Sequence, residues 1–598
     1  MIKNNLYDKY NWDLEDLLNK SSLESLYNKW IKYQEETIKM LPIFYKSLAN
    51  FKKWIKIGDE TELVENRLTN YISNKLSENI SDPTYLAWEQ KLNNKNHEFN
   101  QKFAGTVNVI IRNKSKIRQY LKDKSLNEYT RSYEQLFKRE KHILNEEQDK
   151  LLSKISINNG AVSSIFSTLV DEDIKFADAK DSKNKLNPLL TSAKVFENLK
   201  HSDRILRMNS WINFNKAFKN FESTLTQTLY YNYLRLNTYA KIHNWKNYIE
   251  KTCDYDEVTI DFIQKLYKNV EKFKPTYIEY KKLSNIKLKK VLKLKKLEPW
   301  DLSMNLTNKK IKFTVNESKS CILDALKILG DEYINNLKKA LNEKWISFMP
   351  KPNKHSGAYS IGGTKGLKKY YILMNFNGTY DSVSTLAHEL GHSMNSLYYC
   401  KKQKVYADTT IFTAEIPSIL NETLLGLYMI EKYKDDKTLQ NNFIKEILDN
   451  FFNTTTRQII FSNFEYEANK LVNESKPFTK ESLKEIYQDL NYKYASKKKK
   501  ELKEPISYGL STIFRISHFY HGNFYVYKYA IGQIAAICLV NKIINKEKNI
   551  MNKFYTFLSS GTSKSPLETI KILGIDLTNK KPYIESLNFI KKLIEKYE

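Results

Sequence analysis

The chain of 598 residues holds only 16 Gly, 12 Pro and four Cys, and only ten of its 97 basic residues are Arg. Scarce Gly and Pro remove the usual punctuation of strands and tight turns, so long helices joined by polar connections are the natural architecture. Cys253, Cys321, Cys400 and Cys538 are widely scattered, with no metal or redox spacing. That argues against a disulfide framework and for a reducing compartment. No run of about 18 uncharged apolar residues occurs, which excludes a membrane-spanning helix. The opening stretch MIKNNLYDKYNWDLEDLL lacks the apolar core of a secretory signal, so the expected location is cytoplasmic.

The shortage of Arg also bears on the net charge of +29. A basic surface is the electrostatic footprint of phosphate binding. Arg, however, is the residue suited to bidentate phosphate and base-edge contacts, and 87 of the basic residues here are Lys. Lys, Asn, Ile, Tyr and Phe are all abundant and all have AT-rich codons, so an AT-rich genome explains the composition without a nucleic-acid partner. At 41% hydrophobic and 28% charged residues, the chain reads as globular and soluble. Its length exceeds what one core supports, so two or more domains or subdomains are expected.

What is present is helical periodicity. Leu14, Leu17, Leu18, Leu23, Leu26 and Trp30 recur near a 3.6-residue period. Asn158-Asn159-Gly160 reads as the end of one helix before another begins. In the basic helical stretch 285–302, Ile286, Leu288, Val291, Leu292 and Leu294 could form a buried stripe with Lys toward water, but the stretch reads first as a solvated helix face or exposed connection rather than a nucleic-acid patch. The texture changes over 345–383, which contains five of the glycines and two of the prolines around YYILMNF, a β-like run. A small sheet with an edge open to an extended peptide would use both features. A helix follows, with Asp381 or Ser382 as its cap. The next helix, over about 414–434, has Pro417 in its first turn. The lysine-rich stretch 496–505 reads as an exposed turn.

The first of these two helices carries TLAHELGHSMNS, residues 385–396. His388 and His392, four residues apart, fall on one helix face, where two imidazoles can ligate one tetrahedral Zn²⁺. Glu389 points toward the open coordination position and can take a proton from water there. A third ligand is required, and the downstream acids are Asp408, Glu415 and Glu422. Glu415, near the start of the next helix, can approach from a neighbouring element; Glu422 lies two turns further along and could support a ligand histidine from behind. The H-x-x-G-x-x-H continuation of a metzincin is absent. A second cluster, RISHFYHGNFYVYKY (515–529), holds His518, Tyr520, His521, Tyr525, Tyr527 and Tyr529. Neutral Tyr and His donors in a dry cleft stabilise charge that builds on a carbonyl oxygen.

These residues, with WDLEDLL, SSIFSTLVDEDIKF, KVLKLKKLEPWDL, GAYSIGG, YILMNFNGT, YADTTIFTAEIPSILNE and FLSSGTSKSPLETIKILGIDLT in the same order, resemble oligoendopeptidase F of the thimet-oligopeptidase-like zinc metallopeptidases nearly end to end. The resemblance implies a mainly α fold: two helical lobes enclosing a deep substrate channel, with a small β-sheet beside the active-site helix, and a chain divided into an N-terminal helical region, 1–195, and a zinc peptidase catalytic domain, 196–598. It implies one Zn²⁺ per chain on His388, His392 and Glu415, with Glu422 behind them and Glu389 as the base. It also implies that His518, Tyr525 and Tyr527 face the scissile carbonyl, with either Tyr520 or His521 in the place of an earlier tyrosine. Gly357, Ala358 and Tyr359 would form a loop over the substrate, and the strand of Tyr371 and Leu373 would pair with its backbone. The expected activity is zinc-dependent endopeptidase action on short unfolded peptides, by a monomer or homodimer. The alternatives are a dipeptidyl carboxypeptidase of the same family, or a basic nucleic-acid-binding protein with a structural metal.

Overall fold

Short polar side chains start many of the helices by accepting a backbone N–H that the first turn leaves free. Ser22 caps helix α1 (Leu23–Met40) through the Ser25 N–H, and Ser47 caps α2 (Leu48–Glu78) through the Asn50 N–H. A computed structural model describes residues 9–307, 309, 311–499, 501–522 and 524–597. The first eight residues and Lys500, part of the expected lysine-rich turn, lie outside the described residues. The chain is mainly α, with only small sheets. No described helix is long and apolar enough to cross a membrane.

The chain folds into two compact units, each gathered from three segments. The first comprises 1–157, 310–425 and 542–575; the second comprises 158–309, 426–541 and 576–598. The spatial division is therefore interleaved and does not follow a single cut at 195/196.

In the first unit, the apolar faces of α1 and α2 bury Trp12, Leu17, Trp30, Leu68 and Tyr71 in one cluster with Leu367, Tyr371 and Leu373. This core anchors a three-stranded sheet. Strand β1 (Ile346–Ser347) runs parallel to β3 (Ile372–Leu373), and β2 (Tyr359–Ser360) runs antiparallel to β3 on its other side. The YYILMNF run is thus the central strand, and both of its edges are occupied. Strand β2 is the edge of the sheet on that side, which corrects the expected pairing of a substrate with 371–373. Tyr371 and Leu373 are fully buried, and the Tyr371 hydroxyl donates to the Asp13 carbonyl.

Helix α3 (Tyr380–Lys402) carries the histidine motif and begins at Thr379, whose hydroxyl accepts from the Ser382 N–H. The cap thus lies two residues before Asp381. Helix α4 (Ile411–Lys432) starts earlier than its proline indicates, so Pro417 sits inside the helix. The two helices meet backbone to backbone. A Cβ on Gly391 would lie 2.5 Å from Ser418 Cα and 2.6 Å from its nitrogen. Only glycine permits that approach.

In the second unit, helix Lys274–Leu292 ends at Lys293 in the left-handed region, before the basic stretch is complete. The stretch is mostly a solvated face, as expected, and not a buried stripe: Leu288 is buried, whereas Ile286 and Val291 are exposed. Lysines on every side leave this face to solvent. The following EPWDL does anchor the unit, because buried Asp301 accepts from Arg204 and Arg207 at 2.8 Å each. A break does fall at Asn158–Gly160, within a short 3₁₀ turn between helices Glu146–Ile155 and Ala161–Ser167.

Filling the α3–α4 contact should be costly. Gly391→Ala is expected to lower the melting temperature by about 1–4 °C, since overpacking costs about 1–3 kcal/mol. A thermal melt unchanged from wild type would show that the two backbones separate without penalty.

Candidate active site

Four-residue spacing on α3 stacks His388 over His392, with ring centroids 4.9 Å apart and planes at 80°. Their Nε2 atoms stand 3.2 Å apart. Two nitrogens bound to one tetrahedral Zn²⁺ at about 2.0–2.1 Å would be separated by about 3.3 Å, so the pair fits a shared cation. Glu415, one turn before the Ser418 contact on α4, brings Oε2 to 3.6 Å from His388 Nε2. One ligand atom from each of the three lies within 4.8 Å of the others, and this is the one such cluster among the described residues. The donor set, two imidazoles and a carboxylate, is that of a catalytic zinc site with one position left open.

The surrounding contacts orient the donors. The His392 ring donates to the carbonyl of Ala414, the residue before Glu415. His388 Nδ1 faces Glu422 Oε2 at 3.4 Å, an ionic contact. Asn421, fully buried, donates to the Ala387 carbonyl at 3.1 Å and fastens α4 to α3 just before the first ligand. Asp408 is not part of the cluster.

Burial opposes charging His388, but Glu422, Glu389 and Glu415 outweigh it and raise its pKa to about 9. Burial and the neighbouring His388 lower His392 to about 3. Burial raises Glu389 to about 7 and raises Glu415 as well. The group therefore holds one proton on His388 where a dication would sit. Glu389 is buried, and its carboxylate accepts the Ser360 N–H from edge strand β2. Sequence reasoning missed Ser360: GAYSIGG marked a loop but nothing in it marked a contact to the base. The Ser360 hydroxyl also meets the Ser393 hydroxyl at 2.9 Å, which ties β2 to α3 a second time.

Of the expected substrate contacts in the first unit, Gly357 is open: it has φ +85° and no atom within 4 Å of the site of a Cβ. Ala358 and Tyr359 are partly exposed, and the Tyr359 hydroxyl donates to Asn74. Tyr371 and Leu373 are core residues, as described above.

The second unit contains the His/Tyr segment, and its residues divide sharply. His518 stacks parallel on Tyr525 at 5.3 Å, and Tyr529, one turn beyond, packs on both rings. Burial lowers His518, with Arg457 and His521 adding to the effect, so its imidazole stays neutral; burial raises Tyr525. Tyr527 points the other way. It is fully buried and donates to the Asp256 carboxylate, so it does not share the His518–Tyr525 face. Tyr520 is equally enclosed. It stacks on Phe166 at 4.0 Å, with its hydroxyl toward the Phe514 and Leu225 carbonyls. His521 is exposed at the edge of Phe166, 3.3 Å from the Ser167 hydroxyl. Tyr525 lies in the turn ahead of the helix Tyr527–Ile544, whereas Tyr527 is the first residue of that helix and turns inward.

Comparison with known proteins supplies an independent line. The model of peptidase family M3 matches residues 197–589, and that of the oligopeptidase F N-terminal region matches 113–176. An oligoendopeptidase F homologue of Mycoplasma genitalium is 37% identical over 98% of this chain and 98% of its own. Oligopeptidase PepF of Bacillus subtilis is 29% identical over 98% of this chain and 86% of its own. The crystal structure of oligoendopeptidase-F from Enterococcus faecium matches in fold, with a TM-score of 0.71 at 23% identity over 96% of this chain and 98% of that one.

The His388 proton makes metal binding depend on pH. With its pKa raised to about 9, His388 holds the proton at neutral pH and must release it to become a ligand. Between pH 6 and 8, Zn²⁺ affinity should rise with pH, with roughly one proton released per ion. Calorimetry in buffers of different ionisation enthalpy measures that number; a value near zero at pH 7 would contradict the electrostatic reading.

Proposed function

Because the chain belongs to peptidase family M3 and is a metalloendopeptidase, we propose that it holds one Zn²⁺ on His388, His392 and Glu415 and hydrolyses internal bonds of short unfolded peptides. The observation that carries this reading is the convergence of these three donors beside the buried carboxylate of Glu389. When bound, the ion would polarise the peptide carbonyl and make a water molecule acidic enough to attack it near neutral pH.

The chain's own residues do the rest. Glu389, desolvated and held by the Ser360 N–H, takes the proton of the attacking water and passes it to the leaving amine. Glu422 keeps Nδ1 of His388 directed away from the ion, which fixes the ring and strengthens Nε2 as a ligand. The substrate backbone adds to the edge of β2 at Ala358 and at the Ser360 carbonyl, the Ser360 N–H being taken by Glu389. His518 and Tyr525 are proposed as donors to the developing carbonyl oxyanion. Their support is local: a neutral imidazole stacked on a phenol that does not share its neighbour's buried carboxylate bond. Tyr527 is assigned to holding this segment. Four cysteines held as thiols suit a reducing compartment, and the proposal places the enzyme in the cytoplasm.

Glu389→Gln should bind Zn²⁺ like wild type yet lose about 10³-fold or more in kcat on a quenched oligopeptide. Cleavage by that variant at a near wild-type rate would remove Glu389 as the base. In the same assay a C-terminally amidated peptide should be cut internally; strict dependence on a free C-terminus would make the enzyme a dipeptidyl carboxypeptidase.

A further inference from the structure

Glu465 is a fully buried carboxyl that the reaction above does not use. It lies on helix α5 (Gln458–Asn473) in the second unit. Burial pushes it up to about 8, and the electrostatic influence on it includes no cation, only the Phe524 N–H. Its Oε1 accepts that N–H at 2.7 Å; its Oε2 is buried and has no hydrogen-bond partner among the described residues, as is also true of the Tyr233 hydroxyl. Tyr233, Tyr248, Tyr267 and Tyr525 are the titratable groups that feel its charge. A buried acid without a counter-ion weakens a fold relative to an apolar side chain of the same size, so packing does not account for it.

Its single strong hydrogen bond goes to an unusual place. Phe524 has φ +47°, in the left-handed region that a bulky residue rarely adopts. This residue reverses the chain between the short helix His518–His521 and helix α6 (Tyr527–Ile544). The reversal lays the Tyr525 ring across Gly522 so closely that a Cβ there would lie 2.1 Å from Tyr525 Cε1. It is also what brings Tyr525 flat against His518. Helix α5 grips the segment on both sides of the carboxyl: Phe464 stacks on Phe519 at 5.2 Å, and Tyr466 packs on Phe524.

We propose that Glu465 is a positioning residue for peptide hydrolysis: by accepting the Phe524 N–H it holds the left-handed turn that sets the Tyr525 hydroxyl and the His518 ring against each other. This inference rests on the assignment of Tyr525 as a donor to the carbonyl oxygen. The acceptor oxygen matters and the negative charge does not. A neutral amide can therefore replace the acid, whereas a side chain that is shorter or lacks an acceptor cannot.

The test measures kcat, KM, Zn²⁺ content and melting temperature for Glu465→Gln, Glu465→Asp, Glu465→Met, Tyr525→Phe and the double variants with Tyr525→Phe. Glu465→Gln should keep kcat within about threefold of wild type. Glu465→Asp and Glu465→Met should lower it about tenfold or more, with KM and Zn²⁺ content unchanged. In the Tyr525→Phe background the same changes should add less than about twofold, because both act through one hydroxyl. Fully multiplicative losses, losses confined to KM or Zn²⁺ content, or a Gln variant as slow as the Met variant would overturn the inference and leave the zinc mechanism standing. Full kcat in Tyr525→Phe would overturn the donor assignment itself, and the inference with it. Should Glu465→Met fail to fold, the Asp and Gln variants carry the same comparison.

Discussion

Two helix backbones touch where Gly391 faces Pro417 and Ser418, and the spacing of the His388, His392 and Glu415 side chains follows from that contact. His388 and Glu415 each lie three residues, or nearly one turn, before it on their own helices. With no Cβ in the way, the helices approach closely enough for a short side chain on each to reach a common point. Any larger residue would push α4 outward and carry Glu415 with it, because both atoms met at the contact are backbone and neither can rotate aside. Asn421 and the Ala414 carbonyl then lock the two helices in register, one bond on either side of the ligands.

Burial does the electrostatic work at this junction. Three carboxyl groups face one imidazole in surroundings largely removed from water, so each charge is felt more strongly than at the surface. One His is pushed up and the other down although they sit a single turn apart on the same helix. The difference comes from their neighbours. His388 has acids on both of its nitrogens, and His392 faces a charged His388 and a backbone carbonyl. Glu389 is desolvated yet restrained by the outward N–H of an edge strand, which links this carboxyl to the sheet.

Four tyrosines within ten residues, Tyr520, Tyr525, Tyr527 and Tyr529, show how one side-chain type takes unlike roles. Tyr520 and Tyr527 turn inward and use their hydroxyls to tie down backbone carbonyls or a carboxylate. Tyr525 and Tyr529 gather around His518 on the opposite side. Local geometry separates them: a glycine at 522 and a left-handed turn at 524 reverse the chain, and a helix then begins at Tyr527.

The helical class, the histidine pair, its glutamate and the candidate third acid were legible in the chain itself, because each depends on spacing along one helix or on residue types that a single chemistry requires. The start of α3 was readable to within a few residues for the same reason, since capping is local. What only the tertiary structure decided depends on chain segments distant in sequence. Periodicity could not reveal that YYILMNF is a central strand, because a short apolar run looks the same in the middle of a sheet as at its edge. Nor could it separate Tyr525 from Tyr527, since the turn that sets their faces is held by a carboxyl some sixty residues earlier. The glycine of the motif was visible throughout, but its reason, a neighbouring backbone at 2.5 Å, exists only once the two helices are packed.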